Sequence, residues 1–314
     1  MELFPHDSNF NFMRLRSISL GLAALIMFAA IGALAFKGFN YALDFTGGTS
    51  AELRFEKQVD VEAARGKLTA AGFEGVTVQT FGSGNEIAVR IRPEAGQNSD
   101  DSAAAAQRIL ATLSSSDNPG RIMYSGYVGP QIGKELAENG IYAGVFVVLG
   151  FLFYVWARFE WKFAVAAIIA TLHDVLLVSG WFAVTGHEFD LAVLAGVLSV
   201  MGYSINDTIV VFDRVRENFR NLHKLSAAEV LNRSVNQTLS RTIITSFVAL
   251  LTVVALYIYG GSSLKGMAES QIIGIVIGTL SSIFVACPLL MLLGVSKQDL
   301  LPKAKVDAEL ERRP

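Results

Sequence analysis

Six apolar runs of membrane-spanning length punctuate the chain: Ile18–Phe36, Gly140–Trp156, Phe163–Thr185, Leu191–Phe212, Arg241–Tyr259 and Met267–Leu293. Each is near or above the ~20 residues that carry a helix across ~30 Å of hydrocarbon. Residues 37–139, between the first two runs, have a different texture. There Ala51, Leu53 and Phe55 alternate with Glu52, Arg54 and Glu56, the period of a half-buried strand over Thr49–Glu56. Asp60 can cap a helix whose Val61, Ala64, Leu68 and Ala71 share one face, and Gly72 can end it. Val76–Phe81 and Glu86–Arg92 read as strands joined through Gly82-Ser83-Gly84-Asn85. A helix from about Asp101 to Leu113 and a strand over Arg121–Tyr127 complete the order βαββαβ, which suggests a ferredoxin-like split βαβ unit. The predicted fold is a polytopic α-helical membrane protein, with six transmembrane helices and one α+β ferredoxin-like domain between spans one and two. Residues 1–17 form an N-terminal segment, 140–293 a five-span bundle and 294–314 a tail.

The segment 226–240 is predicted to be helical before the fifth span. Ser226 and Glu229 make a capping box, with Leu225 and Val230 as its hydrophobic staple. The helix is expected to lie along the membrane surface and hold spans four and five in register.

Charge placement orients the spans. Arg14 and Arg16 precede the first, and Arg158 and Lys162 separate the second from the third. Arg214, Arg216, Arg220, Lys224 and Arg233 lie between the fourth and fifth, and Lys297, Lys303, Lys305, Arg312 and Arg313 follow the last. The short loops of the opposite side hold only Lys265. Under the positive-inside rule both termini are cytoplasmic and the α+β domain is on the far side of the membrane. Ala33-Leu34-Ala35 resembles a signal-peptide cleavage site, but nineteen apolar residues exceed the usual core of such a peptide. A hydrophobic content of 52% and a mean hydropathy of +0.44 set the chain apart from ordinary soluble domains. The net charge of −2 gives no ground for a nucleic-acid partner. The single Cys287 excludes an intrachain disulfide.

Candidate chemistry sits inside the apolar runs. In the fourth, the patch Ser204, Asn206, Asp207, Thr208 interrupts an otherwise apolar helix, and Asp207 lies about 9 Å in from Asp213. A carboxylate at that depth costs several kcal/mol unless it faces a bundle interior or water and finds a partner. Gly196, Ser199, Tyr203, Asn206, Asp207 and Val210 fall on one helical stripe, which argues for an interior face. Arg241 opens the fifth span, and its depth can match that of Asp207, so the pair is a candidate for ion coupling; snorkelling to the interface is the alternative for Arg241. Asn206 and Thr208 are weaker candidates. So are His173 and Asp174, mid-way along the third span, where a plain polar helix contact would also account for them. Ser270, Gly274, Gly278 and Ser282 recur every four residues in the sixth span, a small-residue stripe for helix packing. Gly-rich turns flank the α+β domain: Asp44 with Gly47 and Gly48, then Gly129 with Pro130. No His or Cys cluster accompanies Asp44, so neither a metal nor a cofactor is expected. No nucleophile–base pair suggests catalysis.

Three runs together resemble the SecD/SecF family of bacterial protein-export membrane proteins, half-molecules of the resistance–nodulation–division transporter type. They are Asp44-Phe45-Thr46-Gly47-Gly48-Thr49, Val128-Gly129-Pro130 leading to Gly133-Lys134-Glu135-Leu136, and Gly202 through Arg214; Ser240-Arg241-Thr242 also fits. The resemblance, on the SecF side of the family, covers Ile18 to about Leu293. It implies a SecD partner completing a twelve-span bundle, association with the SecYEG channel and YajC, and an unfolded preprotein as cargo. It further implies an inner-membrane location with the α+β domain in the periplasm, and H⁺, or Na⁺ in some bacteria, as coupling ion. Asp207 and Arg241 match the family's ion-pathway residues. An uncoupled scaffold subunit, or a lipid or drug exporter of the same architecture, remain the alternatives.

Overall fold

The computed structural model of the chain describes residues 10–73, 75–81, 84–91, 99–222 and 224–300. Its elements, in chain order, are α1 (Arg16–Phe36), β1 (Asn40–Tyr41), α2 (Leu43–Thr46), β2 (Gly48–Phe55), α3 (Val61–Ala70), β3 (Thr77–Phe81) and β4 (Glu86–Ile91). There follow α4 (Ser99–Leu113), β5 (Gly120–Val128), α5 (Pro130–Arg158), α6 (Trp161–Thr185), β6 (Glu188–Phe189), α7 (Leu191–Asn221), α8 (Ala227–Tyr259), α9 (Ser262–Ser281) and α10 (Cys287–Leu292). One turn of π-helix, Ser282–Ala286, joins the last two. Residues 41–143 make one compact unit and the flanking sequence a second.

In the unit 41–143 the strands run β3-β4-β2-β5, every neighbour antiparallel. That is the strand order of a ferredoxin-like βαββαβ sheet, with the first strand between the third and fourth. The alternation in β2 sends Ala51, Leu53 and Phe55 inward, where they meet Ile87 and Val89 of β4, Leu68 of α3 and Ile109 of α4. Asp60 caps α3 by accepting from the Glu62 and Ala63 amides, and Gly72 takes the positive φ that ends the helix. Of the turn expected at 82–85, Gly82 and Ser83 lie outside the described residues.

The two Gly-rich flanks of this unit meet. Gly47 and Gly48 both have positive φ, at 68° and 123°, and Gly133 in the first turns of α5 lies against Gly47. A Cβ on Gly133 would come within 2.9 Å of the Gly47 backbone nitrogen. Asp44 is in the first turn of the short α2 that leads into this contact.

Among the described residues six helices are long and apolar enough to cross a membrane. Phe28 of α1, Phe146 and Trp156 of α5 and Phe247 of α8 turn exposed aromatic surface outward, as lipid-facing positions do. Alpha-helix α8 is unbroken over 33 residues, about 50 Å at 1.5 Å per residue, so some 20 Å extends past the hydrocarbon. The capping box at its start forms as the sequence predicts, with the Glu229 carboxylate on the Ser226 amide. The surface-lying helix expected over 226–240 is instead one continuous helix with the span. Neither Gly nor Pro interrupts it, and its Val230, Leu231, Val235 and Leu239 pack with Val215 and Phe219 on α7, itself 31 residues long. The Asn218 amide, from α7, donates to Ser234 and Gln237. The N-terminal segment is strapped to the same helix. Phe10 and Phe12 donate their backbone amides to the Asn236 and Asn232 side chains, at 2.9 and 2.8 Å.

Ion pairs tie the other helix ends at this side. Arg158 meets Asp213 at 2.9 Å and Arg216 meets Glu160 at 2.9 Å. Lys162, at the start of α6, holds Asp299 at 2.8 Å and the Gly294 carbonyl at 2.9 Å. Burial alone would raise the Asp299 carboxyl, but hydrogen bonds from Lys162 and from the Ser296 hydroxyl and amide, with the Lys162 charge, hold it below its ordinary 3.8. A depressed carboxyl contributes stability that is whole above about pH 4 and lost as pH falls through the lower folded-state value. The segment 296–300 is therefore expected to undock in acid below about pH 4. Hydrogen exchange at those amides should rise there, and in Lys162→Met it should already be high at neutral pH.

Candidate functional site

The bundle interior is organised by a seam between α7 and α9. Gly196 faces Ser270, Val200 faces Gly274 and Ser204 faces Gly278. The partners advance together by four residues, so the two helices run parallel with their small residues interleaved. Without side chains at Gly196 and Gly274, the backbones approach until the Ser270 hydroxyl and the Val200 methyls fill the space a Cβ would take. The next step of the seam places Ser282 against Asp207.

Asp207 is 6% exposed and makes two hydrogen bonds, each from another helix. Thr242 of α8 donates to Oδ1 at 2.7 Å and Ser282 to Oδ2 at 2.5 Å. Ser282 opens the π turn, a backbone feature that often re-aims a side chain at a functional position. The polar contacts continue along the seam, where Tyr203 donates to Ser246 at 2.7 Å and Ser246 lies 2.7 Å from the Thr279 hydroxyl. Tyr203 also lines a cavity of about 270 Å³ between α7, α8 and α9, with Ser199, Thr252 and Gln271 among its polar walls. One carboxylate thus joins three helices through hydroxyl donors, and polar groups extend from it to a cavity.

Arg241 stands on the same helix as Thr242, with its side chain exposed. Its charge bears on the Asp207 carboxylate, yet among the described ion pairs none joins the two; hydroxyls occupy the carboxylate's near positions. Asn206, expected on the interior stripe, is exposed, as are Ser199 and Gly202. The buried face of α7 centres on Val200, Ser204, Asp207, Thr208 and Val211. Successive helical residues point about 100° apart, so burying Asp207 and Thr208 turns Asn206 outward. Ser199, Gly202 and Asn206, spaced three and four residues apart, leave a small, polar face uncovered at membrane depth.

Asp174 is fully buried on α6. Its Oδ2 accepts from Ser204 at 2.6 Å, and its Oδ1 is 2.9 Å from His173 Nδ1. Thr208 is buried, with no partner for its hydroxyl among the described residues. Alpha-helix α7 therefore carries two acid sites on different sides: Asp207 toward α8, and Ser204 with Asp174 toward α6. Sequence reasoning reached Asp207 through its cost in lipid but missed Thr242 and Ser282 as its donors. Hydroxyls are common in apolar helices, and Ser282 was legible only as one member of the small-residue stripe.

Comparison with known proteins agrees with this architecture. The family profile described as "Protein export membrane protein SecD/SecF, C-terminal" matches residues 110–296, and the "SecD/SecF GG Motif" matches 32–59. The protein translocase subunit SecF of Pseudomonas aeruginosa is 42% identical over 302 residues, 96% of this chain and 97% of that protein. SecF of Vibrio alginolyticus is 39% identical over 315 residues, 100% of this chain and 99% of that protein. Among solved structures, SecDF of Thermus thermophilus, a translocon-associated membrane protein, superposes with a TM-score of 0.82 at 41% identity. The match covers 93% of this chain but 40% of that longer one. With a matched profile over most of its length and relatives this similar end to end, the chain belongs to the SecD/SecF family of protein-export membrane proteins.

Proposed function

We propose that this chain, a SecF-type translocase subunit, couples an ion gradient across the bacterial inner membrane to late steps of protein export. The observation that carries the reading is a buried carboxylate, Asp207, fastened to two neighbouring helices through hydroxyl donors. An ionised carboxylate is acceptor-only, and neutralising it by H⁺ or Na⁺ changes what Thr242 and Ser282 can bond to. Loading and release of the ion would then alternate the packing of α7 against α8 and α9. One charge crossing 100 mV supplies about 2.3 kcal/mol, enough to bias a two-state equilibrium roughly fifty-fold.

The uncovered polar face of Ser199, Gly202 and Asn206, with Arg241 on α8, supports a SecD subunit as the opposing half. Arg241 would reach the ion site across that contact. The Arg and Lys residues at the α5–α6 and α7–α8 turns support cytoplasmic termini and a periplasmic α+β domain. SecYEG, YajC and the unfolded preprotein complete the assembly. The chain acts as a transport subunit without a catalytic site or a bound cofactor, with H⁺ or Na⁺ as its coupling ion.

Asp207→Asn tests the coupling, because the amide keeps the shape and the hydrogen-bonding capacity. The variant is expected to assemble with its partner and to lose gradient-driven export in membrane vesicles. Unchanged export would leave an uncoupled scaffold, and transport of lipid or drug in place of preprotein would point to an exporter.

A further inference from the structure

Three hydroxyls in the bundle interior have no partner among the described residues: Thr171 on α6, Thr208 on α7 and Ser281 on α9, at 1%, 1% and 2% exposure. Ser and Thr elsewhere in the bundle, among them Ser234, Thr238, Ser246 and Thr279, donate back to a carbonyl of the preceding turn. These three do not. Their positions share a register. Ser204 donates to Asp174, and a Cβ on Gly278 would lie 3.3 Å from Ser204 Cβ and 3.7 Å from Asp174 Oδ2, so Asp174, Ser204 and Gly278 mark where α6, α7 and α9 converge. Thr171 is three residues before Asp174, Thr208 four after Ser204 and Ser281 three after Gly278.

Alpha-helix α6 runs opposite to α7 and α9, so all three offsets lead the same way along the bundle, by about one turn. Thr208 and Ser281 also adjoin the Asp207–Ser282 pair in sequence and fall on the other side of the α7–α9 seam. A level of three buried hydroxyls, without partners among the described residues, thus lies about one turn from Asp174, a buried carboxylate that has lone pairs to spare. Leaving such groups unpaired in a buried interior is costly.

We propose that Asp174, Thr171, Thr208 and Ser281, with Ser204, form a binding site for one small monovalent metal cation such as Na⁺. The donors are all hard oxygens, the set suited to alkali and alkaline-earth cations, and the single carboxylate balances a single positive charge. His173, on the far oxygen of Asp174, orients the carboxylate. This site is separate from Asp207 and stands whether or not Asp207 carries the coupling.

The test uses the full chain co-purified with its partner subunit in lipid nanodiscs. Radioactive sodium binding and the thermal midpoint are measured as NaCl replaces choline chloride at constant ionic strength. Saturable sodium binding with a rising midpoint is expected. Measured in the Asp207→Asn background, Asp174→Asn should abolish it, and the near-isosteric Thr208→Val or Ser281→Ala should weaken it about tenfold, the loss of one oxygen ligand from the bound cation. Asp207→Asn should leave this binding in place, which separates the site from the coupling reading. A midpoint indifferent to sodium, or sodium binding unaltered by Asp174→Asn and Thr208→Val, overturns the proposal and leaves the hydroxyls to a buried water.

Discussion

Gly274→Leu is expected to abolish accumulation of the folded chain in the membrane, and Gly274→Ala to cost about 1–3 kcal/mol, the usual penalty for overfilling a packed interior. The Cβ of either variant falls among the Val200 methyls. Val200 is 1% exposed and β-branched, so on a helix it has one comfortable rotamer and nowhere to swing. Relief must come from parting α7 and α9, and that would pull Ser282 from Asp207 and open the contact at Ser204 as well. Thermal midpoint in detergent and steady-state membrane level read the effect. Gly202→Ala is the matched control, since a Cβ there meets nothing within 4 Å. Loss of the isolated chain's stability in the control but not in Gly274→Ala would contradict the seam.

Gly133→Ala is the second large effect, and it falls on the other unit. The added carbon would stand 2.9 Å from a backbone nitrogen, that of Gly47, and a backbone cannot rotate aside as a side-chain end can. Gly47 itself already takes a φ of 68°, a conformation that costs other residues about 1–2 kcal/mol, at the point where the two backbones meet. The cost is expected at ~3 kcal/mol, the top of the overpacking range. Limited proteolysis should then nick the chain within 41–143 while the helical unit stays intact. An unaltered cleavage pattern in Gly133→Ala would mean the two flanks do not need their close approach.

Much of this was legible in the sequence because it follows from periodicity. Residues 51, 53 and 55 alternate, and β2 buries them; Asp60 precedes an apolar stripe, and it caps α3. Six long apolar runs could only be helices in lipid, since no other open structure satisfies its backbone there. The interior resisted for a reason of the same kind. Apolar periodicity separates inside from outside where polar and apolar residues alternate, and in a span flanked on every side by apolar groups it cannot rank Asn206 against Thr208. Only the packing of the neighbouring helices settles that Thr208 is inside, at 1% exposure. Nor does any pattern announce that Phe10 and Phe12 are pinned by Asn236 and Asn232, more than two hundred residues away.

The π turn has a mechanical consequence. A helix advances about 100° per residue, so the extra residue held in Ser282–Ala286 sets the azimuth of everything after it, Leu290 and Val295 included. Ser282, which fastens the acid, is the first residue of that turn, and Pro288 lies just beyond its end with no amide to re-form the ladder. Were the additional residue squeezed out, the final stretch of the chain would swivel by more than a quarter revolution while the preceding helix stood still. The fastening of one carboxylate is thereby geared to the angular setting of the helix's far end.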